Sequence, residues 1–341
     1  MKGAIIPITL LTGFLGSGKT TLLSRLLAHP GLANTAVLVN EFGEIALDHE
    51  LLYAATESIV LLAGGCLCCA LRSDLAEQLD DLYTRRLRKE LPPFERAVIE
   101  TTGLADPAPI LQTLVSEPML AALYRLDAIV TTVDGQFGER QLDEHFESVK
   151  QAALADRIVV TKADLATEEE LAALEARLRA LNPAAPIARA VDGRVDPDFV
   201  LGSGLHVAAT APGRFGEWLR AERYLPLPPN PSGRSALGAH DSRIHAFAIV
   251  FDQPVSGTRL WQGLETLIER SGEKLLRVKG IVNVVGQMQP RVIHIVQHVL
   301  YPVLTLASWP SEDRRTRLVF IVRDLAETEV RSALDEAMTQ A

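Results

Sequence analysis

The chain has 341 residues, 48 % hydrophobic and 23 % charged, with a formal net charge of −9. That length suits two domains, and the acidic balance argues against a nucleic-acid partner, whose affinity rests on Lys and Arg neutralising phosphates. No apolar run reaches the roughly 18 residues a membrane span needs, and a glycine-rich stretch stands where a signal peptide would be cleaved, so the first apolar run reads as a strand and the expected location is the cytoplasm.

Residues 1 to about 195 alternate short Val/Ile/Leu runs with helical patterns. The expected strands are Ile5–Leu11, Thr35–Asn40, Ser58–Leu62, Arg96–Glu100, Ala128–Val133, Arg157–Thr161 and Pro186–Ala190. Nearly continuous apolar runs of this kind are buried on both faces of a parallel sheet. Amphipathic helices fall between them, among them Asp74–Leu82 and Glu168–Leu181, the latter with leucines at 171, 174, 178 and 181. The pattern predicts an α/β, doubly wound, mostly parallel sheet of the P-loop NTPase kind. Phe215–Leu219 reads as a packing helix, and the proline-rich run from Leu225 can continue neither a helix nor a central strand. The expected organisation is therefore a nucleotide-binding domain over 1–224, a linker over 225–243 and a smaller α+β domain over 244–341. In that last domain Ile244–Phe251, Leu275–Val285, Arg291–Val299, Thr305–Ser308 and Leu318–Val322 read as strands, with helices from Ser256 to about Arg270 and from Ala326 to Met338.

The first chemical signal is Gly13-Phe14-Leu15-Gly16-Ser17-Gly18-Lys19-Thr20, which reads G-x-x-x-x-G-K-T between a strand and a helix. Glycines let successive backbone N–H groups close on phosphate oxygens, and the helix N-terminus adds partial positive charge. Lys19 is expected at the β- and γ-phosphates, Thr20 on Mg²⁺, and the triphosphate along Gly16–Thr21, with Gly13 shaping the turn. Glu100-Thr101-Thr102-Gly103 ends a strand. Its carboxylate can hold Mg²⁺ directly or through water, and Gly103 can offer an N–H to the γ-phosphate. Thr161-Lys162-Ala163-Asp164 resembles the guanine-reading N-K-x-D motif, with threonine in place of asparagine. A carboxylate at Asp164 accepts from the N1–H and 2-amino groups of guanine, donors that adenine lacks there. The Lys162 stem can cover the base.

All three cysteines, Cys66, Cys68 and Cys69, follow the pair Gly64-Gly65. An odd number packed so tightly is no disulfide framework. Thiolates select Zn²⁺, Cu⁺ and similar ions. A tetrahedral site needs a fourth ligand, for which Glu41, His49, water or a partner's side chain are candidates. His294 and His298, four apart in a run that reads as strand, would share a face about 13 Å apart, too far for one ion.

These motifs, with Asn40-Glu41-Phe42-Gly43-Glu44 and Leu275-Leu276-Arg277-Val278-Lys279-Gly280, resemble the CobW family of P-loop GTPases, relatives of the nickel-insertion GTPases of urease and hydrogenase maturation. The resemblance spans nearly the whole chain. It implies GTP hydrolysis, with Mg²⁺ as cofactor, coupled to binding and delivery of a transition metal, zinc or cobalt, to a client metalloprotein. It implies that Cys66, Cys68 and Cys69 form the metal-responsive element; with Glu41 taken as the fourth ligand, the expected metal set is Cys66, Cys68, Cys69 and Glu41, and the residues expected to serve the hydrolytic site are Lys19, Glu100 and Glu41. The partners expected are GTP/GDP, the metal ion and the client, with a homodimer left open and neither nucleic acid nor membrane. A metal-responsive switch without transfer is the nearer alternative; a small-molecule kinase, which would need a lid arginine cluster, is the remoter one.

Overall fold

A computed structural model describes residues 5–40, 60–64, 71–201, 215, 218–224 and 243–339. Glu41, His49, Cys66, Cys68, Cys69 and residues 225–242 of the expected linker lie outside the described residues.

Seven strands form the first sheet: β1 (Ile6–Gly13), β2 (Thr35–Asn40), β3 (Val60–Gly64), β4 (Arg96–Glu100), β5 (Tyr124–Asp134), β6 (Arg157–Thr161) and β7 (Ile187–Arg189). Their order is β3-β2-β4-β1-β5-β6-β7, and every pairing is parallel. The doubly wound parallel sheet expected from the apolar runs is thus present, with β1 at its centre. The strand order reverses at β1, between β4 and β5, which is where such sheets bind ligands, outside their carboxyl ends. Pro7 lies in β1, where a central strand tolerates proline poorly. It sits beside a register break: Ile8 pairs with Leu126 but Thr9 with Ala128, so β5 bulges at Asp127. β5 starts earlier than its apolar run, because Tyr124 is buried and its hydroxyl donates to the Leu79 carbonyl at 2.9 Å.

Helix α1 (Lys19–Leu27) buries Leu22, Leu23, Leu26 and Leu27 against Leu11, Val37, Val98 and Val130 of the sheet. The next helix, α2 (Leu71–Leu87), is twice the length of its apolar signature. Pro107–Ser116, Pro118–Leu123, Gly138–Glu144 and Phe146–Leu154 form α3 to α6, and Glu168–Leu181 forms α7 with the bounds its leucine spacing predicts. A reciprocal cap fixes its start: Thr167 N donates to Glu170 Oε2 at 2.7 Å, and Glu170 N to Thr167 Oγ1 at 3.3 Å.

By packing, the chain divides into two compact units that are not consecutive stretches: 1–141, 155–175 and 186–204 form one, and 142–154, 176–185 and 205–341 the other. In the second unit α6 is tied to the C-terminal sheet, for Arg277 Nη1 donates to the Leu154 carbonyl at the end of that helix.

The second sheet is antiparallel: β8 (Ile244–Phe251), β9 (Leu275–Val282), β10 (Arg291–Val296), β11 (Val299–Leu300), β12 (Leu304–Thr305) and β13 (Thr316–Arg323), in the order β11-β10-β9-β13-β8 with β12 on β10. Helices α9 (Gly257–Ser271) and α10 (Glu327–Thr339) close its core, which holds Leu260, Leu264, Phe247, Phe320, Val330 and Leu334; a short turn of helix at Pro197–Val200 is α8. A Cβ on Gly263 would lie 2.9 Å from Ala337 Cβ, so that glycine permits the close approach of the two helices.

One strand assignment is corrected. The run Arg291–Val299 does not stay extended: Gln297 adopts a φ of 52°, the chain reverses through His298, and β11 folds back with Ile295 opposite Leu300. His294 and His298 therefore do not share one strand face. His294 is buried, stacked on Tyr301 at 4.6 Å, with its Nε2 3.3 Å from Arg277 Nη2.

Candidate functional site

The nucleotide-type residues converge at the carboxyl edge of the parallel sheet. Gly16 and Gly18 take φ values of 69° and 82°, left-handed conformations that glycine adopts without steric cost. Gly13, at a φ of 143°, is required for a further reason. A Cβ there would lie 2.2 Å from Thr132 Oγ1 and 2.4 Å from the Thr132 carbonyl oxygen. Gly18 caps α1, whose own first turn carries no acidic side chain, so the terminus keeps its partial positive charge apart from the Glu100 carboxylate that meets Thr20.

Lys19 is buried and curls over the loop, donating to the carbonyls of Gly13 at 3.0 Å and Phe14 at 3.1 Å. Thr20 Oγ1 donates to Glu100 Oε1 at 2.5 Å. The P-loop hydroxyl and the strand-end carboxylate thus meet, and two hard oxygens at that point suit Mg²⁺. Gly103 lies against the loop from the other side. A Cβ on it would be 2.6 Å from the Leu15 nitrogen, a clash with backbone that cannot be relieved by a rotamer change. A cleft of about 510 Å³ is lined by Gly16, Lys19, Thr20, Thr21, Glu100, Gly103 and Lys162, among others. That size is in the ordinary range for a ligand site.

The T-K-x-D segment approaches from β6. Thr161 is buried and its hydroxyl donates to the Ser17 carbonyl at 2.7 Å. The threonine that replaces asparagine therefore anchors the P-loop. Lys162, at a φ of 52°, extends its ammonium to the Gly16 carbonyl at 2.8 Å and to Asp134 Oδ2 at 2.6 Å. Asp164 sits in a short 3₁₀ turn and is exposed.

Asp134 escaped the sequence reading. Its side chain is almost fully buried, and Oδ1 accepts from Gln136 N at 2.9 Å and Phe137 N at 3.0 Å. The available signal was an Asp-Gly pair closing the run Ala128–Val133. Gly135 explains that pair: its N–H donates to the Thr161 carbonyl at 2.8 Å, and a Cβ there would lie 2.7 Å from the same oxygen. Ser17, read as a nucleotide residue, turns its hydroxyl under the loop to Thr132 Oγ1 at 2.7 Å, and its N–H donates to the Phe14 carbonyl at 3.1 Å.

Glu41 and the three cysteines cannot be placed beside these groups, since they lie outside the described residues. Among the described residues there is no group of three or more His, Cys, Asp or Glu side chains able to hold a metal ion, and no helix long and apolar enough to cross a membrane.

Residues 7–189 match the family described as CobW/HypB/UreG, nucleotide-binding domain, and residues 244–338 match the cobalamin synthesis protein cobW C-terminal domain. The chain belongs to the CobW family. Among its relatives, the zinc chaperone YjiA of Escherichia coli is 33 % identical over 96 % of this chain and 97 % of its own length. The zinc chaperone CobW of Pseudomonas aeruginosa is 30 % identical over 98 % of this chain and 92 % of its own. The crystal structure of Zn(II)-bound YjiA GTPase from E. coli superposes with a TM-score of 0.71 at 28 % identity, covering 99 % of this chain and all of that one. The CobW-family fold therefore accounts for both sheets.

Proposed function

We propose that this chain is a GTP-hydrolysing metallochaperone that carries a transition metal, zinc first among the candidates, to a client metalloprotein. The observation that carries the reading is the meeting of Lys19, Thr20, Glu100 and Lys162 on one cleft, with Thr161 bonded to the P-loop beside it, in a CobW-family chain whose full-length relatives include zinc chaperones.

The residues divide the work by position. Lys19 exchanges two neutral carbonyls for phosphate oxygens when nucleotide enters, gaining charge-assisted bonds. Backbone N–H groups of Gly16–Thr21 and the N-terminus of α1 hold the phosphates. Thr20 and Glu100 would hold Mg²⁺, which when bound supplies charge neutralisation between the β- and γ-phosphates. Gly103, packed against Leu15, would sense the γ-phosphate. Asp164 reads guanine, with Lys162 fixed by Asp134 beneath the base.

The metal is cargo, held in this proposal by Cys66, Cys68, Cys69 and Glu41. Connectivity supports a link to the nucleotide. Asn40 and Gly64 are register partners at the carboxyl ends of β2 and β3, so the chain enters 41–59 and 65–70 from neighbouring points. Glu100 pairs in register with Val39 on one side and Leu11 on the other, one strand from each. A change at Thr20–Glu100 on hydrolysis is thereby adjacent to the start of the Glu41 segment. Coupling requires different metal affinities in the two nucleotide states.

The test is zinc affinity of the purified protein with a GTP analogue and with GDP, alongside phosphate release. Equal affinities would remove the coupling; a phosphorylated acceptor in place of inorganic phosphate would make the protein a kinase. Transfer of zinc to an apo-client separates a chaperone from a metal-responsive switch.

A further inference from the structure

Beneath the P-loop runs a row of buried hydroxyls, one from each of four adjacent strand ends, in the sheet order β4-β1-β5-β6. Thr101, just after β4, donates its hydroxyl to Thr12 Oγ1 of β1 at 2.9 Å. Thr132 of β5 donates to the Thr12 carbonyl at 3.3 Å and shares a 2.7 Å hydrogen bond with Ser17 Oγ of the loop. Thr161 of β6 donates to the Ser17 carbonyl at 2.7 Å. Thr12, Ser17, Thr101, Thr132 and Thr161 are each at most 2 % exposed. Thr132 also occupies the space that a side chain on Gly13 would need.

We infer that Thr132 is a positioning residue for nucleotide binding, the keystone that holds the P-loop in its phosphate-ready shape from below. The hydrogen-bond directions are self-consistent. Thr132 spends its one proton on the Thr12 carbonyl, so Ser17 donates to Thr132. The Ser17 hydroxyl thus points to the sheet, and the loop backbone above it is held in place by Thr132 at the side chain and by Thr161 at the carbonyl. A loop with three glycines in eight residues loses much conformational freedom on closing around phosphate. Fixing it beforehand removes that cost from binding. The row also joins the E-T-T-G end of the site to the T-K-x-D end without passing through the nucleotide. The inference rests on the reading that this loop holds a nucleotide, and not on the identity of the base or of any metal.

The experiment compares wild type with Thr132→Val, Thr132→Ser and Ser17→Ala by titration of fluorescent GDP and ADP with Mg²⁺, steady-state GTP hydrolysis, and thermal unfolding without nucleotide. Valine matches threonine in size but strands the Ser17 hydroxyl, so T132V should bind the preferred nucleotide roughly ten-fold more weakly, while T132S stays within about two-fold. The T132V deficit should appear in KM, with kcat at saturation within about three-fold, because bound phosphates then hold the loop. S17A, which removes the other end of the same bond, should weaken binding in the same direction. A T132V protein that melts earlier but binds nucleotide normally overturns the inference, as does a T132S protein as weak as T132V. If T132V does not fold, S17A against T132S carries the comparison, and an unchanged S17A overturns it. Wild type that prefers ADP would overturn the guanine assignment, and the Thr132 comparison would then be read on ADP.

Discussion

Lys162 Nζ lies 2.6 Å from Asp134 Oδ2, joining the turn after β6 to the end of the neighbouring strand β5, and the same ammonium reaches the Gly16 carbonyl. One cation thus ties the turn after β6, the fifth strand and the P-loop together. Asp134→Asn keeps an acceptor for Gln136 N and Phe137 N but removes the charge that orients Lys162. Guanine-nucleotide binding measured by calorimetry should weaken by about 1.5–3 kcal/mol, the range for a hydrogen bond to a charged group. Unchanged affinity would show that Lys162 is positioned by Gly16 alone.

Asp164 should decide the base. Asp164→Ala removes the acceptor for two guanine donors, so GTP binding should fall by at least about 100-fold while ATP binding changes little. The readout is the ratio of the two affinities, which a general loss of folding would leave unaltered.

Gly103→Ala places a methyl carbon 2.6 Å from the Leu15 nitrogen, and the P-loop apex must shift. A cost of about 1–3 kcal/mol in stability is expected. A GTP analogue should lose more affinity than GDP if Gly103 contacts the γ-phosphate. Equal losses would confine its role to packing.

Lys19→Ala should abolish hydrolysis. If nucleotide state governs the metal site, zinc affinity in this variant should no longer differ between GTP analogue and GDP. A persistent difference would place the coupling outside the P-loop lysine.

Acid stability carries a separate signature in the C-terminal unit. The Arg315 guanidinium bonds both oxygens of Asp313 at 3.0 Å and holds that carboxyl down to about 2, from an ordinary 3.8. The folded pKa is lowered, so the stabilisation is fully present above about pH 4 and is lost as pH falls from 3.8 towards 2. Because the pair is partly solvated, the effect is modest. Asp313→Asn should flatten the melting temperature against pH in that window and leave it unaltered in shape near neutrality.

The sequence by itself determined the strands of the parallel sheet, the bounds of α7 and the identity of the P-loop, because each depends on local rules: apolar runs, leucine spacing, a Thr167–Glu170 cap, glycines before a lysine. It also supplied the family, since ordered motifs survive as strings. What tertiary structure alone decided was how those strings meet. Thr161 looked like a weakened guanine motif, and packing makes it a P-loop anchor through Ser17. Asp134 and Thr132 carry no motif of their own, for their roles arise from partners 28 and 115 residues away. The reversal at Gln297 was hidden in a continuous β-branched run, because propensity cannot see a pairing register. The chain fixes chemistry residue by residue, but charge, burial and distance act between strand ends, and those become neighbours only when the sheet has formed.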